Sequence, residues 1–307
     1  NKGSKTYSPV EISSFIIKHM IQNAEKYLNK KITKLVITVP SYFNDSQRNS
    51  TKQAAEMLGL KVLRVINEPT AAALSYGFEK KQDINEKILV FDLGGGTFDI
   101  SILSVEKNEN NSKDISFEVK GVVGDTNLGG EDFDNELAKY ILKKAKCNEK
   151  EIKADKQAMK KLKVSCENIK KILSSSEETI LRIQNFYKNE DINEKITRKE
   201  FEDKCGHLFK KIKASLKDAL KKAKLEENDI HEVILVGGST KIPKVKEIIK
   251  NFFNKIKIND VINPDEAVAF GATLQAERIL HNRNESITNL PLLDSIPLSL
   301  GSNIKDC

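Results

Sequence analysis

Ile-Leu-Val-Phe-Asp-Leu-Gly-Gly-Gly-Thr-Phe-Asp, residues 88–99, is the stretch whose reading decides the fold. A short apolar run ends in an acid, three glycines follow, then a threonine and a second acid. The run has the length and composition of a buried strand. Glycine tolerates left-handed and other sparsely allowed backbone, so Gly94, Gly95 and Gly96 can turn successive N–H groups toward one anion. Asp92 and Asp99 bracket that cradle with hard oxygen ligands suited to Mg²⁺, held mostly through water, and Thr97 adds a hydroxyl donor. The same pattern also fits a plain hairpin, with Ile88–Phe91 and Phe98–Val105 joined by a glycine turn. This stretch alone leaves both readings open.

A second stretch favours the phosphate reading. Residues 232–243, Glu-Val-Ile-Leu-Val-Gly-Gly-Ser-Thr-Lys-Ile-Pro, form another apolar run into a glycine pair. A helical pattern follows, with Val245, Ile248, Ile249, Phe252 and Phe253 on one side. A strand, a tight turn and a helix N-terminus make a ready anion site.

The composition sets the class. At 307 residues the chain can bury a substantial core, and 39% hydrophobic with 31% charged residues suits a globular protein. It holds no apolar run of the roughly eighteen residues that mark a membrane helix. The net charge of +7 comes mainly from lysines at 143–171, 210–224 and 241–257, opposite apolar residues such as Phe209, Ile212, Leu216, Leu220 and Ala223. Those lysines read as solvated helix faces. With aromatics at only 6% and no recognisable module, a nucleic-acid role is not expected. Cys147, Cys166, Cys205 and Cys307 show no Cys-x-x-Cys pairing and the four histidines stand apart, so neither a zinc site nor a disulfide framework is indicated. A reducing compartment is the default.

Along the chain the pattern predicts a helix over 9–30 with Ile12, Phe15, Ile16, Met20 and Ile21 as its apolar side, and a strand over 33–39. A helix over 45–58, a strand over 61–66 and a helix over 69–78 follow. This alternation belongs to an α/β sheet with crossover helices. Strands then meander from 84 to about 123, interrupted by a polar surface loop at 108–113. Residues 131–178 and 197–224 read as largely helical, 179–196 as short strands and turns, and 232–280 as a return to the sheet.

Six strings carry a resemblance over nearly the whole chain: 39–48 (Val-Pro-Ser-Tyr-Phe-Asn-Asp-Ser-Gln-Arg), 66–73 (Ile-Asn-Glu-Pro-Thr-Ala-Ala-Ala), 91–99, 124–134 (Gly-Asp-Thr-Asn-Leu-Gly-Gly-Glu-Asp-Phe-Asp), 236–240 (Val-Gly-Gly-Ser-Thr) and 262–269 (Ile-Asn-Pro-Asp-Glu-Ala-Val-Ala). Together they resemble the nucleotide-binding domain of the heat-shock protein 70 chaperones. The resemblance implies an α/β, actin-like ATPase (ribonuclease-H-like) architecture of two lobes around a cleft, here with the first lobe incomplete. It divides the chain into 1–81 for the remainder of the first lobe, and 82–124 with 207–270 for the base of the second. The second lobe's upper subdomain is 125–206, a helix returning to the first lobe is 271–288, and an interdomain linker with the start of a peptide-binding domain is 289–307.

The same resemblance implies ATP/ADP with Mg²⁺. Asp92, Asp99 and Glu68 would place the metal and the attacking water, and Gly94, Gly95, Gly96 and Thr97 would hold phosphate. Gly130, Glu131, Glu167, Lys170, Lys171, Ser174, Gly237, Gly238, Ser239, Lys241 and Asp265 would line the rest of the nucleotide site. From the residues alone, Glu68 before Pro69 is equally an acidic first turn of a helix. Glu167, Lys170, Lys171 and Ser174, at i, i+3, i+4 and i+7, share one helix face.

Lys171 and Lys241 depart from the family, which typically carries arginines there; a lysine offers a point charge without a planar face. Weaker or less selective base binding is the expectation. The resemblance also implies a first phosphate loop and a strand-rich subdomain ahead of Asn1, so the chain as given is expected to bind nucleotide poorly and hydrolyse it hardly at all. Pro291 stands in the linker where the family has leucine, and Pro40 and Arg48 match a family relay. Implied partners are a J-domain co-chaperone, a nucleotide-exchange factor and unfolded client peptide; the setting is cytoplasmic and the chain a monomer. Two other readings are a non-hydrolysing module that binds co-chaperones and a sugar or acid kinase of the same fold superfamily, the latter opposed by the length of the chaperone-type motifs and the absence of an evident sugar-binding insertion.

Overall fold

A computed structural model describes residues 6–79, 85–107, 115–254, 256–259, 263–281 and 292–293. In chain order the elements are α1 (Pro9–Leu28), β1 (Lys34–Val39), α2 (Asp45–Glu56), β2 (Lys61–Asn67), α3 (Glu68–Glu79), β3 (Asn85–Leu93), β4 (Phe98–Lys107) and β5 (Ile115–Asp125). There follow α4 (Gly130–Lys144), α5 (Glu149–Ala154), α6 (Lys156–Leu173), β6 (Glu178–Tyr187), β7 (Glu190–Thr197), α7 (Arg198–Lys204) and α8 (Gly206–Ala223). The chain continues through β8 (Glu232–Val236), α9 (Pro243–Phe252), β9 (Lys257–Asn259), α10 (Ala267–His281) and β10 (Leu292–Leu293). The fold class is mixed α/β, as the alternating pattern predicts. The predicted loop at 108–113, Pro291, Cys307 and most of the predicted linker lie outside the described residues.

The chain forms two compact units. The first comprises 1–86, 103–120 and 266–307; the second comprises 87–102 and 121–265.

In the first unit, α1 starts on a reciprocal cap: Ser8 Oγ accepts from Glu11 N at 3.2 Å and Ser8 N donates to Glu11 Oε2 at 2.8 Å, with Pro9 in the first turn. β1 and β2 pair in parallel, and β2 runs directly into α3. α3 packs on α10 through small residues. Ala71, Ala72 and Ala73 are buried, and a Cβ on Gly271 would sit 1.7 Å from the Ala71 carbonyl oxygen, so only glycine permits that approach. Ser75 Oγ donates to Ala267 O at 2.5 Å across the same contact. Arg48 donates to the carbonyls of Phe43 and Ser41 and so holds the turn that follows Pro40. The apolar stripe of α1 departs from expectation: Ile12, Phe15, Ile16 and Met20 are exposed while Ser14 is buried. α1 packs on α2, in which Ala54 and Ala55 are the buried residues, and periodicity marks an apolar face without specifying what covers it. β10 lies parallel to β5 at Phe117 and Glu118.

The second unit holds most of β3, the first half of β4, the end of β5, and the whole of β8 and β9. β3 and β8 are parallel, with Asp92 opposite Val236, and β8 and β9 are parallel as well. Ile88 to Phe91 and Val233 to Val236 are buried, which accounts for their unbroken apolar sequences. Helices α4, α6 and α8 close one core over these strands through Phe133, Leu137, Ile169, Phe209 and Leu216. The hairpin β6–β7 completes it.

Candidate functional site

The parallel register of β3 and β8 brings the two glycine-bearing loops, 94–97 and 237–240, to the carboxyl ends of neighbouring strands. Ligands of open α/β sheets gather at such ends. The loops lock together through Gly94 O, which accepts from Gly130 N at 2.9 Å and from Ser239 Oγ at 2.9 Å. Gly95 O accepts from Glu131 N at 2.8 Å, so the first two N–H groups of α4 hold the 94–97 loop. The positive end of this helix faces the loop, a setting that favours an anion.

The tri-glycine run corrects an expectation. None of Gly94, Gly95 and Gly96 takes a positive φ, and a Cβ on Gly95 or Gly96 would meet nothing within 4 Å. The loop closes instead as a turn, with Gly94 N donating to Thr97 O at 3.0 Å. What their smallness provides is bare backbone beside open space, and Gly95 lines the cavity described below. The left-handed position is Gly237, at φ +84°, where a Cβ would lie 2.3 Å from Leu93 O.

Next to these loops the second unit holds a cavity of about 530 Å³, the size of a small-molecule site. Of the residues expected around a nucleotide, Gly95, Gly130, Glu131, Glu167, Lys170, Lys171, Ser174, Gly238, Ser239, Lys241 and Asp265 line it. The face predicted for 167–174 is therefore present, with Ser174 as the C-cap of α6. Gly94, Gly96, Thr97 and Gly237 are not in the lining; they shape the loops beneath it.

Two lining residues went unassigned in the sequence. Asp134 had a legible signal, being one helical turn from Gly130 within the quoted 124–134 string. Ile242, just before Pro243, had none.

The inner wall is rigid. Lys170, 8% exposed, donates to Gly130 O and to Asp134 Oδ2, each at 2.8 Å. Burial pushes the Asp134 carboxyl above its ordinary value, although the hydrogen bond and charge of Lys170 oppose this. The mouth carries two exposed pairs, Lys171–Glu167 at 2.6 Å and Lys241–Asp265 at 2.5 Å. The hydrogen bond to Glu167 holds the Lys171 ammonium above its ordinary pKa, and the charge of Asp265 adds to this.

Asp92, the penultimate residue of β3, is half-buried, and burial raises its carboxyl to about 6. Asp99 is buried at the start of β4. Glu68 opens α3 in the first unit, half-buried. Among the described residues no cluster of three or more His, Cys, Asp or Glu could by itself hold a metal. Mg²⁺ needs no such cluster, since it binds through one or two carboxylates, water and substrate phosphates. Asp92, a desolvated acid two residues ahead of the 94–97 loop, fits that mode.

The second unit thus combines paired glycine loops at the ends of parallel strands, a helix N-terminus and a lysine-lined cavity in one mixed α/β fold, an arrangement suited to an anionic ligand. The family model described as Hsp70 protein matches residues 1–306. Similar proteins include Heat shock 70 kDa protein 2 of Paracoccidioides lutzii, 44% identical over 299 residues, which is 97% of this chain and 45% of that protein. Heat shock cognate 70 kDa protein 3 of Dictyostelium discoideum is 45% identical over 301 residues, covering 97% of this chain and 47% of that protein. The chain belongs to the Hsp70 family, and it spans just under half the length of these relatives. No helix among the described residues is long and apolar enough to cross a membrane.

Proposed function

We propose that this chain binds ATP and ADP and is the ATP-hydrolysing part of a heat-shock 70 chaperone, coupling nucleotide state to client-peptide binding. The observation that carries the reading is the cavity itself: one unit brings both glycine loops, the start of α4 and one face of α6 around a nucleotide-sized space. In this reading Lys170, pinned at two acceptors, presents its remaining ammonium hydrogen to the sugar. The bare backbone of Gly95 receives phosphate oxygens near the positive end of α4, with Gly94, Gly96 and Thr97 setting the turn. Gly130, Glu131, Glu167, Lys171, Ser174, Gly238, Ser239, Lys241 and Asp265 line the nucleoside, over Gly237.

Asp92 and Asp99 would hold Mg²⁺ through water, and the resemblance adds Glu68 to the same chemistry. When bound, the metal supplies charge neutralisation on the phosphates. The carboxylates orient the attacking water, and positioning with charge neutralisation makes up most of the catalysis in phosphoryl transfer. By the same resemblance we propose a J-domain co-chaperone, a nucleotide-exchange factor and unfolded client peptide as partners, and a cytoplasmic setting.

Calorimetry of the chain with Mg-ADP and Mg-ATP tests the reading, with phosphate release followed alongside. Weak but saturable binding, with a dissociation constant on the order of 100 μM that rises at least tenfold in Asp92→Asn, and phosphate release close to background, are the expected outcome for this chain. Absence of heat with either nucleotide defeats it.

A further inference from the structure

The cavity that we read as a nucleotide site is built unevenly, and the unevenness bears on which part of a nucleotide it selects. Its inner wall consists of groups held by packing: Lys170 and Ser239 are each 8% exposed, and Gly130 is fixed to Gly94 at 2.9 Å. Its mouth consists of side chains held by one another. Lys171 and Glu167 are 66% and 48% exposed, Lys241 and Asp265 50% and 48%.

Exposed ion pairs of this kind contribute about 0–1 kcal/mol and leave long side chains free to rearrange. Among the described lining residues there is neither an aromatic ring nor a guanidinium plane. Ile242 is the one large apolar residue in the lining. The hydroxyl of Ser174, already donating to Lys170 O at 3.2 Å, can turn to accept or donate and so reads no particular base edge. Mobile ammonium groups find acceptors on adenine, guanine and cytosine alike.

We propose that the chain recognises a nucleotide by its sugar and phosphates and discriminates poorly among bases, accepting guanine and cytosine nucleotides at affinities close to those for adenine. This rests on the nucleotide reading of the cavity. Strong selection requires buried polar groups that a wrong ligand leaves unpaired, and the mouth has no such groups; both lysines already hold carboxylates of their own. The four rim residues therefore set specificity by what they fail to fix.

Calorimetric titration of the full chain with the Mg²⁺ complexes of ADP, GDP and CDP tests this. The expected result is three dissociation constants within about tenfold, a spread of ~1.4 kcal/mol. Preference for ADP over both others by about a hundredfold or more overturns the inference while leaving the nucleotide reading intact. Failure of all three to bind removes the nucleotide reading and the inference with it. A second measurement uses the double variant Lys171→Arg/Lys241→Arg, whose exposed rim positions tolerate the change and whose guanidinium planes can stack on the larger purine surface. The expected change is at least a fivefold rise in the ADP-over-CDP ratio; an unchanged ratio shows that the rim does not set base selectivity and overturns the proposal.

Discussion

Lys170 and Lys171 are neighbours in the chain, line the same cavity and each pair with a carboxylate, yet they occupy opposite environments. The side chain of Lys170 is 10% exposed and its partner Asp134 11%, while Lys171 is 66% exposed and Glu167 48%. A helix turns its residues by about 100°, so two adjacent lysines need not share a surroundings. Lys170 binds across elements, to α4; Lys171 binds within its own helix, four residues back. The first pair ties the wall of the site to the core of the unit, and the second decorates its mouth. Equal chemistry and similar distance therefore carry different weight, with burial deciding.

The largest effect expected is at the buried pair. Lys170→Met strands Asp134 in the core and should cost about 3–5 kcal/mol, measured by denaturant unfolding. A cost below about 1 kcal/mol would erase the distinction between the two lysines. Gly237→Ala comes next, since it places a side chain at φ +84° and against Leu93 O; a loss of about 2–4 kcal/mol is expected by the same measurement. That result would show how far backbone fit at the cavity's base rivals the buried charge pair.

An intermediate case sharpens the gradient. Glu200, 32% exposed, accepts from Tyr140 at 2.5 Å and Lys144 at 2.9 Å and also caps α7 with Thr197, which together hold its carboxyl down at about 2, led by the Tyr140 bond. Glu200→Gln should cost about 1–2 kcal/mol at neutral pH. Its folded-state pKa lies below the ordinary 4.5, so this contribution is complete above pH 4.5 and is lost as pH falls through about 2. Thermal melts of the parent and the variant should converge over that interval, and a gap that persists at pH 2 would contradict the assignment. Smallest of all is Lys171→Ala, expected to change stability by no more than about 0.5 kcal/mol. A penalty as large as that of Lys170→Met would mean that the rim pair is structural.

Much of the site was legible because it is local. A strand running into Asp92, the glycine run, and the i, i+3, i+4, i+7 face from Glu167 to Ser174 are short-range patterns, and each element formed where its pattern lies. The α1 stripe was legible as apolar but not as exposed, because periodicity names a face without naming what covers it. The conspicuous glycines misdirected the backbone reading: Gly94 to Gly96 take ordinary angles, while the constrained position is Gly237, one member of an unremarkable pair.

The sequence by itself determined the mixed α/β class, the element boundaries to within a few residues, the two loops and the family. These follow from side-chain periodicity and backbone preference, which act over a few residues. Only the tertiary structure decided that β3 and β8 are parallel neighbours, that Gly94 O joins α4 to the 237–240 loop, and that Asp134 rather than solvent receives Lys170. Those outcomes depend on desolvation and hydrogen bonding between segments 36 to 145 residues apart, and no local pattern encodes which lysine will be buried.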